Sequence, residues 1–246
     1  MRLVLLDLDG TLMDSAPGIV ASAAHAFTAL GLPVPDAATL RSFVGPPITE
    51  SFPAHGVPPT RVAEAMAAYR EEFTATGMWD NSVFDGIPAQ LDLLRAHGCT
   101  LAVATSKPEV FAAPLVERFG LAPLVDSVFG APLDEQGTKA DVIARALAVH
   151  GWAGGPALMV GDRRYDVVGA REHGIDTLGV TWGYPSDGEL EEAGAVRVIH
   201  EVSDLATTAL ALLDEQPGLD PSTGSGRRRI DHPGRDARQA QPPVGG

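Results

Sequence analysis

Five short apolar runs constrain this chain more than any other feature: residues 3–6, 101–104, 157–160, 177–180 and 196–199. A strand with one wet face alternates apolar and polar residues. A run without alternation has both faces covered, which is the pattern of a parallel sheet packed between helices. Helical periodicity fills several of the gaps. Residues 87–97 place Ile87, Leu91 and Leu94 on one face and stop at Gly98. Residues 140–149 and 166–173 read the same way, the second ending at Gly174. Strand and helix in alternation give an α/β doubly wound, Rossmann-like parallel sheet.

Residues 15–83 break that alternation. They read as helices over 17–30, stopped by Gly31, and over 60–76, with Thr60 as N-cap and Glu64 nearby, and they hold no convincing strand. The organisation expected is therefore an α/β core formed by residues 1–14 and 84–213, with a helical insert at 15–83 after the first strand. Residues 214–246 are rich in Gly, Pro, Ser and Arg, lack any hydrophobic period, and are expected to form a disordered tail. Within it, the run from Arg227 to Arg229 reads as solvated rather than as a docking site for an anionic partner.

Charge and composition exclude several functions. The 246 residues are 45% hydrophobic, enough for a sizeable core, and carry a net charge of −14. From Asp214 onward five arginines balance five acidic residues, so the whole excess lies in the first 213 residues. An acidic body argues against nucleic acid as a partner. No apolar run approaches the ~20 residues that cross a bilayer. The N-terminus has no apolar h-region, because Asp7 interrupts it. A single cysteine, Cys99, permits no internal disulfide. The expectation is a cytoplasmic protein acting on a small molecule, away from membranes.

Chemistry-bearing residues gather where strands end, which is where open α/β sheets bind ligands. Asp7 and Asp9 close the first run, Thr105, Ser106 and Lys107 follow the second, and Gly161 and Asp162 follow the third. Asp7, Asp9, Asp162 and Asp166 would repel one another unless a cation sat among them. An all-oxygen donor set suits Mg²⁺, and no His or Cys pairs stand at zinc spacing. In the segment Asp7-Leu8-Asp9-Gly10-Thr11, one carboxylate can attack phosphorus and the other can move a proton, while Gly10 lets the backbone turn N–H groups toward an anion. The same residues also read as a strand closed by an Asp–Gly turn.

Only two lysines occur against 16 arginines, and both, Lys107 and Lys139, fall beside the expected site. A compact ammonium suits a point contact with phosphate. Thr105 offers a hydroxyl to a phosphate oxygen, or alternatively caps a helix before Pro108. Asp162 and Asp166 face the strand ends together if a helix begins near Arg164.

The segments 6–12, 104–108 and 160–166, with Lys139 between the last two, resemble in order the four motifs of the haloacid dehalogenase-like hydrolases, over about residues 1–213. The resemblance implies a helical cap in the insert and a phosphatase using Mg²⁺. It makes Asp7 the nucleophile and a metal ligand, and Asp9 the acid/base and a ligand through its carbonyl. Asp162 becomes a metal ligand, Asp166 a direct or water-mediated one, and Thr105 and Lys139 hold the phosphoryl group. Ser106, Lys107 and Gly10 join them as candidate phosphate contacts. Arg41 and the loop 45–48 are candidates for reading the leaving group, or else an ordinary surface arginine and a helix-ending loop.

Within the family, residues 45–52 and the Gly161-Asp162-Arg163-Arg164-Tyr165-Asp166 form resemble the phosphoglycolate phosphatase and 5'-nucleotidase-like branch. A phosphoglycolate phosphatase-like activity comes first, and a 5'-nucleotidase is the alternative. A sugar phosphomutase or a non-catalytic phosphate-binding protein stands further off. A phosphonate hydrolase would need a lysine in 15–83, and none is there. Asp9 argues against a haloalkanoate dehalogenase. Phosphoglycolate asks for a tight site with a cation, and a nucleoside monophosphate for a roomier one with an apolar platform. Phe43, Phe52, Tyr69, Phe73 and Trp79 supply aromatics in the insert, although at helical spacing they also read as core.

Overall fold

The computed structural model describes residues 1–134 and 137–216. In chain order its elements are β1 (Arg2–Leu6), β2 (Met13–Asp14), α1 (Ala16–Ala29), α2 (Ala37–Arg41), α3 (Ile48–Ala54), α4 (Val62–Ala75) and β3 (Ser82–Val83). Then come α5 (Ile87–Ala96), β4 (Cys99–Pro108), α6 (Glu109–Arg118), β5 (Ser127–Ala131) and α7 (Lys139–Val149). The last are β6 (Ala157–Gly161), α8 (Arg164–Glu172), β7 (Asp176–Val180), α9 (Glu189–Ala193), β8 (Arg197–Ile199) and α10 (Leu205–Glu215).

Six strands form one parallel sheet in the order β5-β4-β1-β6-β7-β8. The strand β1 lies between β4 and β6, so the chain winds outward to one side and then to the other from its carboxyl end. That end is the topological switch point, where an α/β sheet opens a crevice. Alternate residues of β1 serve two different cores. Val4 and Leu6 face the larger core, which continues into the helical segment, while Leu3 and Leu5 face the core built on Val142, Ile143 and Ala146 of α7. All four side chains are fully buried, which accounts for the lack of alternation in the sequence.

Between β2 and β3 the chain is helical. Those two short strands pair antiparallel, Met13 with Val83 and Asp14 with Ser82, and carry the chain out of the sheet and back. They correct the expectation of no strand in 15–83, because a pairing two residues long leaves no period to read. The helices α1 and α4 enclose an aromatic cluster of Phe27, Phe43, Phe52 and Tyr69, with ring centroids 5.4–6.2 Å apart. Thr60 is not an N-cap. It lies in a 3₁₀ turn, Pro59–Arg61, and Glu64 pairs with Arg61 (Nε to Oε2, 2.8 Å).

Two further differences have local causes. The edge strand β5 was not legible, being only partly buried and interrupted by Gly130. Helix α10 runs past Asp214, so the expected tail begins inside a helix, because Leu212 and Leu213 are anchored in the core. Residues 217–246, including Arg227 to Arg229, lie outside the described residues. Among the described residues no helix is long and apolar enough to cross a membrane.

Gly18 tests the packing of the helical segment. Replacing a helix-interior glycine with alanine ordinarily stabilises by about 1 kcal/mol. Here a Cβ would overlap the carbonyl of Gly77, and backbone cannot yield as a side chain can. Gly18→Ala is therefore expected to lower the melting temperature, by about 2–4 °C for each kcal/mol lost. An unchanged or higher value in thermal unfolding would refute that close approach.

Candidate active site

Every strand that borders the switch point delivers a polar residue to it. Asp7 follows β1, and its backbone N–H donates to the Val160 carbonyl at 2.9 Å, so the β1–β6 ladder sets its position. Gly10 turns the chain back with φ +81, and any side chain there would overlap the Asp162 carboxylate. Thr105, Ser106 and Lys107 lie in β4, which runs on to Pro108 with a shifted register after Ala104. Thr105 caps no helix: Pro108 holds the N-cap position of α6, and Thr105 Oγ1 accepts from the Lys107 N–H at 3.2 Å. Lys139 opens α7 directly after a capping box between Thr138 and Asp141. The helix α8 does start at Arg164, and the Asp166 carboxylate reaches back to the Arg163 N–H at 3.1 Å.

These placements bring carboxylate oxygens of Asp7, Asp162 and Asp166 within 4.8 Å of one another, all three side chains being buried. Lys139 Nζ bridges Asp7 Oδ1 and Asp166 Oδ1, each at 2.7 Å. Asp162 accepts from Thr11 Oγ1 at 3.3 Å and from the Tyr184 N–H at 2.9 Å. Asp9 stands apart from this trio. Both of its oxygens accept from Lys107 Nζ, at 3.0 and 2.9 Å, and the same ammonium lies 5.0 Å from the ring centroid of Phe73 in α4. Lys107, a candidate phosphate contact, is thus placed on Asp9.

The electrostatics are unbalanced. Burial, then the charges of Asp7 and Asp166, push the Asp162 carboxyl well above the usual range. Asp166 is pushed up to about 6: burial raises it most, Lys139 pulls it down, and Asp7 raises it again. Burial pulls the Lys139 ammonium down, but Asp166 and Asp7 outweigh that and the net direction is up. Three carboxylates share one ammonium. A hard divalent cation with oxygen ligands fits this donor set, and the carboxylates lose their mutual repulsion when it binds.

Two cavities adjoin the site, and Ser106 lines both. One, of about 40 Å³, lies among Asp9, Lys107, Phe43, Ile48, Tyr69 and Phe73. The other, of about 210 Å³, lies among Lys139, Thr138, Tyr165, Pro47, Glu50 and Glu172. The loop 45–48 lines the smaller cavity. Arg41 lines neither. Its guanidinium sits 5.7 Å from the Tyr184 ring centroid. Phe52 is interior, and Trp79 faces Arg118 at 5.2 Å. Sequence reasoning missed Thr11 and Tyr184. Tyr184 follows the run 177–180, so position after a strand end was the available signal.

A carboxylate whose folded pKa lies above its unfolded value binds its proton more tightly in the native state. Its contribution to stability is present at low pH and is lost as pH rises through the window between the two values. For Asp166 that window runs from 3.8 to about 6. The metal-free protein should therefore gain stability as pH falls from 7 toward 5, and Mg²⁺ should flatten the dependence. Asp162→Asn removes a charge yet keeps an acceptor for the Tyr184 N–H. At pH 7 without metal it should melt above the parent, and Mg²⁺ should raise its melting temperature less. A lower melting temperature for this variant would show that the repulsion is not felt.

Comparison with known proteins follows the same lines. The family model described as haloacid dehalogenase-like hydrolase matches residues 4–180. A 5'-nucleotidase of Pseudomonas aeruginosa is 41% identical over 205 residues, covering 82% of this chain and 91% of the relative. The tyrosine-protein kinase PtkA of Mycobacterium tuberculosis is 43% identical over 215 residues, covering 87% and 70%. A plasmid phosphoglycolate phosphatase of Cupriavidus necator is 30% identical over 208 residues, covering 82% and 90%. Among solved structures, a predicted phosphatase from Clostridium acetobutylicum superposes with a TM-score of 0.81 at 40% identity, covering 85% of this chain and 98% of that one.

Proposed function

The chain belongs to the haloacid dehalogenase-like hydrolases, and from that premise we propose that it is a Mg²⁺-dependent phosphomonoester hydrolase working through a phosphoryl-aspartate on Asp7. The observation that carries this reading is the buried trio Asp7, Asp162 and Asp166 bridged by Lys139 at 2.7 Å. An Asp7 oxygen attacks phosphorus and the ester oxygen leaves with a proton from Asp9. Water then attacks the phosphoryl group, gives its proton to Asp9 and frees Asp7. Lys139 and Thr105 hold the phosphoryl oxygens, and Lys107 must release Asp9 for the proton to move. Asp7, Asp162, Asp166 and the Asp9 carbonyl would hold Mg²⁺, which supplies charge neutralisation. Residues 15–83 act as the cap that excludes bulk water, with 1–14 and 84–213 as the core.

Phosphoglycolate stands first on sequence alone, but the larger cavity favours an uncharged leaving group such as a nucleoside. Glu50 and Glu172 border the larger cavity, and the lysine of the smaller one already holds Asp9. In the larger cavity a carboxylate-bearing leaving group would meet Glu50 and Glu172; the smaller one holds a second cation, Arg70, whose guanidinium already donates to the Leu133 carbonyl. The relative named 5'-nucleotidase agrees with this choice. The name PtkA raises a second outcome, passage of the phosphoryl group to a phenol instead of water.

Phosphate release from nucleoside monophosphates, phosphoglycolate, hexose phosphates and an aryl phosphate, with and without Mg²⁺, tests the reading. Mg²⁺-dependent release should be strongest with nucleoside monophosphates. Preference for phosphoglycolate would overturn the substrate class, and phosphate retained on protein tyrosine would redirect the acceptor. Asp7→Asn should abolish turnover with the fold intact. Lys139→Ala should cost about 10²–10³-fold in kcat, and a small effect would move phosphate binding elsewhere.

A further inference from the structure

The loop after β7 reaches three parts of the molecule through one residue. The Tyr184 backbone N–H donates to Asp162 Oδ2 at 2.9 Å. Its hydroxyl donates to Asp14 Oδ1 and accepts from the Ala16 N–H at 3.3 Å. Its ring lies under the Arg41 guanidinium of α2. Asp14 ends β2, half of the ribbon that joins the sheet to the helical segment, and Ala16 opens α1. Two residues earlier the Trp182 indole N–H donates to the Thr11 carbonyl at 3.0 Å, so the loop is fastened to the turn that carries Asp9 as well.

We propose that Tyr184 is a positioning residue that couples the seating of the helical segment to the orientation of Asp162. The proposal rests on the reading above, in which Asp162 serves phosphoryl transfer at Asp7. Hinges are few residues that absorb the backbone change of closure, and Asp14 and Ala16 stand where the chain crosses. The phenol holds both while its own main chain holds the carboxylate. Its bond to Asp14 is charge-assisted and half-buried, the strong kind. Burial, then the Asp14 bond, push the phenol's pKa up, so it stays a donor at neutral pH. Arg163, next to Asp162, makes a second tie across the same divide: its guanidinium donates to the Val44 carbonyl and to Glu189. The helical segment is thus fastened from both sides of Asp162.

Tyr184→Phe removes only the hydroxyl bonds. It leaves the ring under Arg41 and the N–H on Asp162. With the full chain and the preferred ester, kcat should fall and KM rise, their ratio dropping about 10-fold to 150-fold, the size of one hydrogen bond to an ionised group. The Mg²⁺ concentration for half-activation should rise by more than about twofold, because Asp162 keeps the Tyr184 N–H but loses its tie to the helical segment, and a coupling between two sites shows at both. Asp14→Ala should lose at least as much as Tyr184→Phe, since Asp14 Oδ1 also accepts from the Ala16 N–H at 3.3 Å, the double variant should be no worse than Asp14→Ala, and Asp14→Asn, which keeps a neutral acceptor, should recover about half of the loss in free energy. Amide exchange should quicken at residues 13–19 and 82–84 and stay unchanged at 157–162.

Losses that multiply in the double variant would overturn the coupling. So would a lower melting temperature with kcat and KM intact. If the parent releases phosphate from no ester, the functional reading fails instead. Exchange then decides alone: quickened 13–19 and 82–84 upholds the coupling, and unchanged exchange there ends it.

Discussion

Three buried carboxylates around one ammonium leave two negative charges unmatched at the centre of this protein, and the rest of the architecture accommodates that imbalance. Water cannot relieve it, because Asp7, Asp162 and Asp166 are buried. Protonation relieves it partly, which is the meaning of the raised Asp162 and Asp166 carboxyls. A divalent cation would relieve it fully, because its two charges match the two left over. A site with this charge balance gives up stability of its own, a common arrangement where function stores unfavourable charge.

The sheet supplies the rigidity this demands. Asp7 hangs on the β1–β6 ladder, Thr105 on β4, and Asp162 just past β6, so three neighbouring strands fix three groups. The helical segment supplies what the sheet does not. It contributes the aromatic wall over Lys107, the loop 45–48 and the Glu50 rim, and it is joined to the sheet through one narrow ribbon. Side chains bordering Asp162, from Arg163 on one side and Tyr184 on the other, grip it. The candidate metal ligand and the ties to the helical segment therefore meet on the same carboxylate.

The two lysines divide the work. Lys139 lies between the nucleophile candidate and Asp166. Lys107 holds Asp9, which the trio excludes. Sequence placed both beside the site but gave them one role, phosphate contact. Distance separates them, because Nζ of each has a short ion pair with a different aspartate.

Much was legible in the chain of residues. The apolar runs marked β1, β4, β6 and β7, because burial on both faces removes alternation, whereas the run at β8 belongs to an edge strand with Arg197 exposed. Asp7, Asp9 and Asp162 were legible because polar residues directly after such runs sit at the sheet's carboxyl edge, Asp166 because a helix starting near Arg164 turns it the same way, and Lys139 through the scarcity of lysine and the family resemblance. The edge strand β5 and the ribbon β2–β3 were not, because short or half-exposed strands leave no period. Tertiary structure alone decided three matters. Asp9 pairs with Lys107 rather than joining the trio. Arg41 stacks on Tyr184 instead of lining a cavity. Tyr184 joins Asp14 to Asp162 across 170 and 22 residues of sequence. Each depends on which side chains meet across elements distant in the chain, and local pattern carries no record of that.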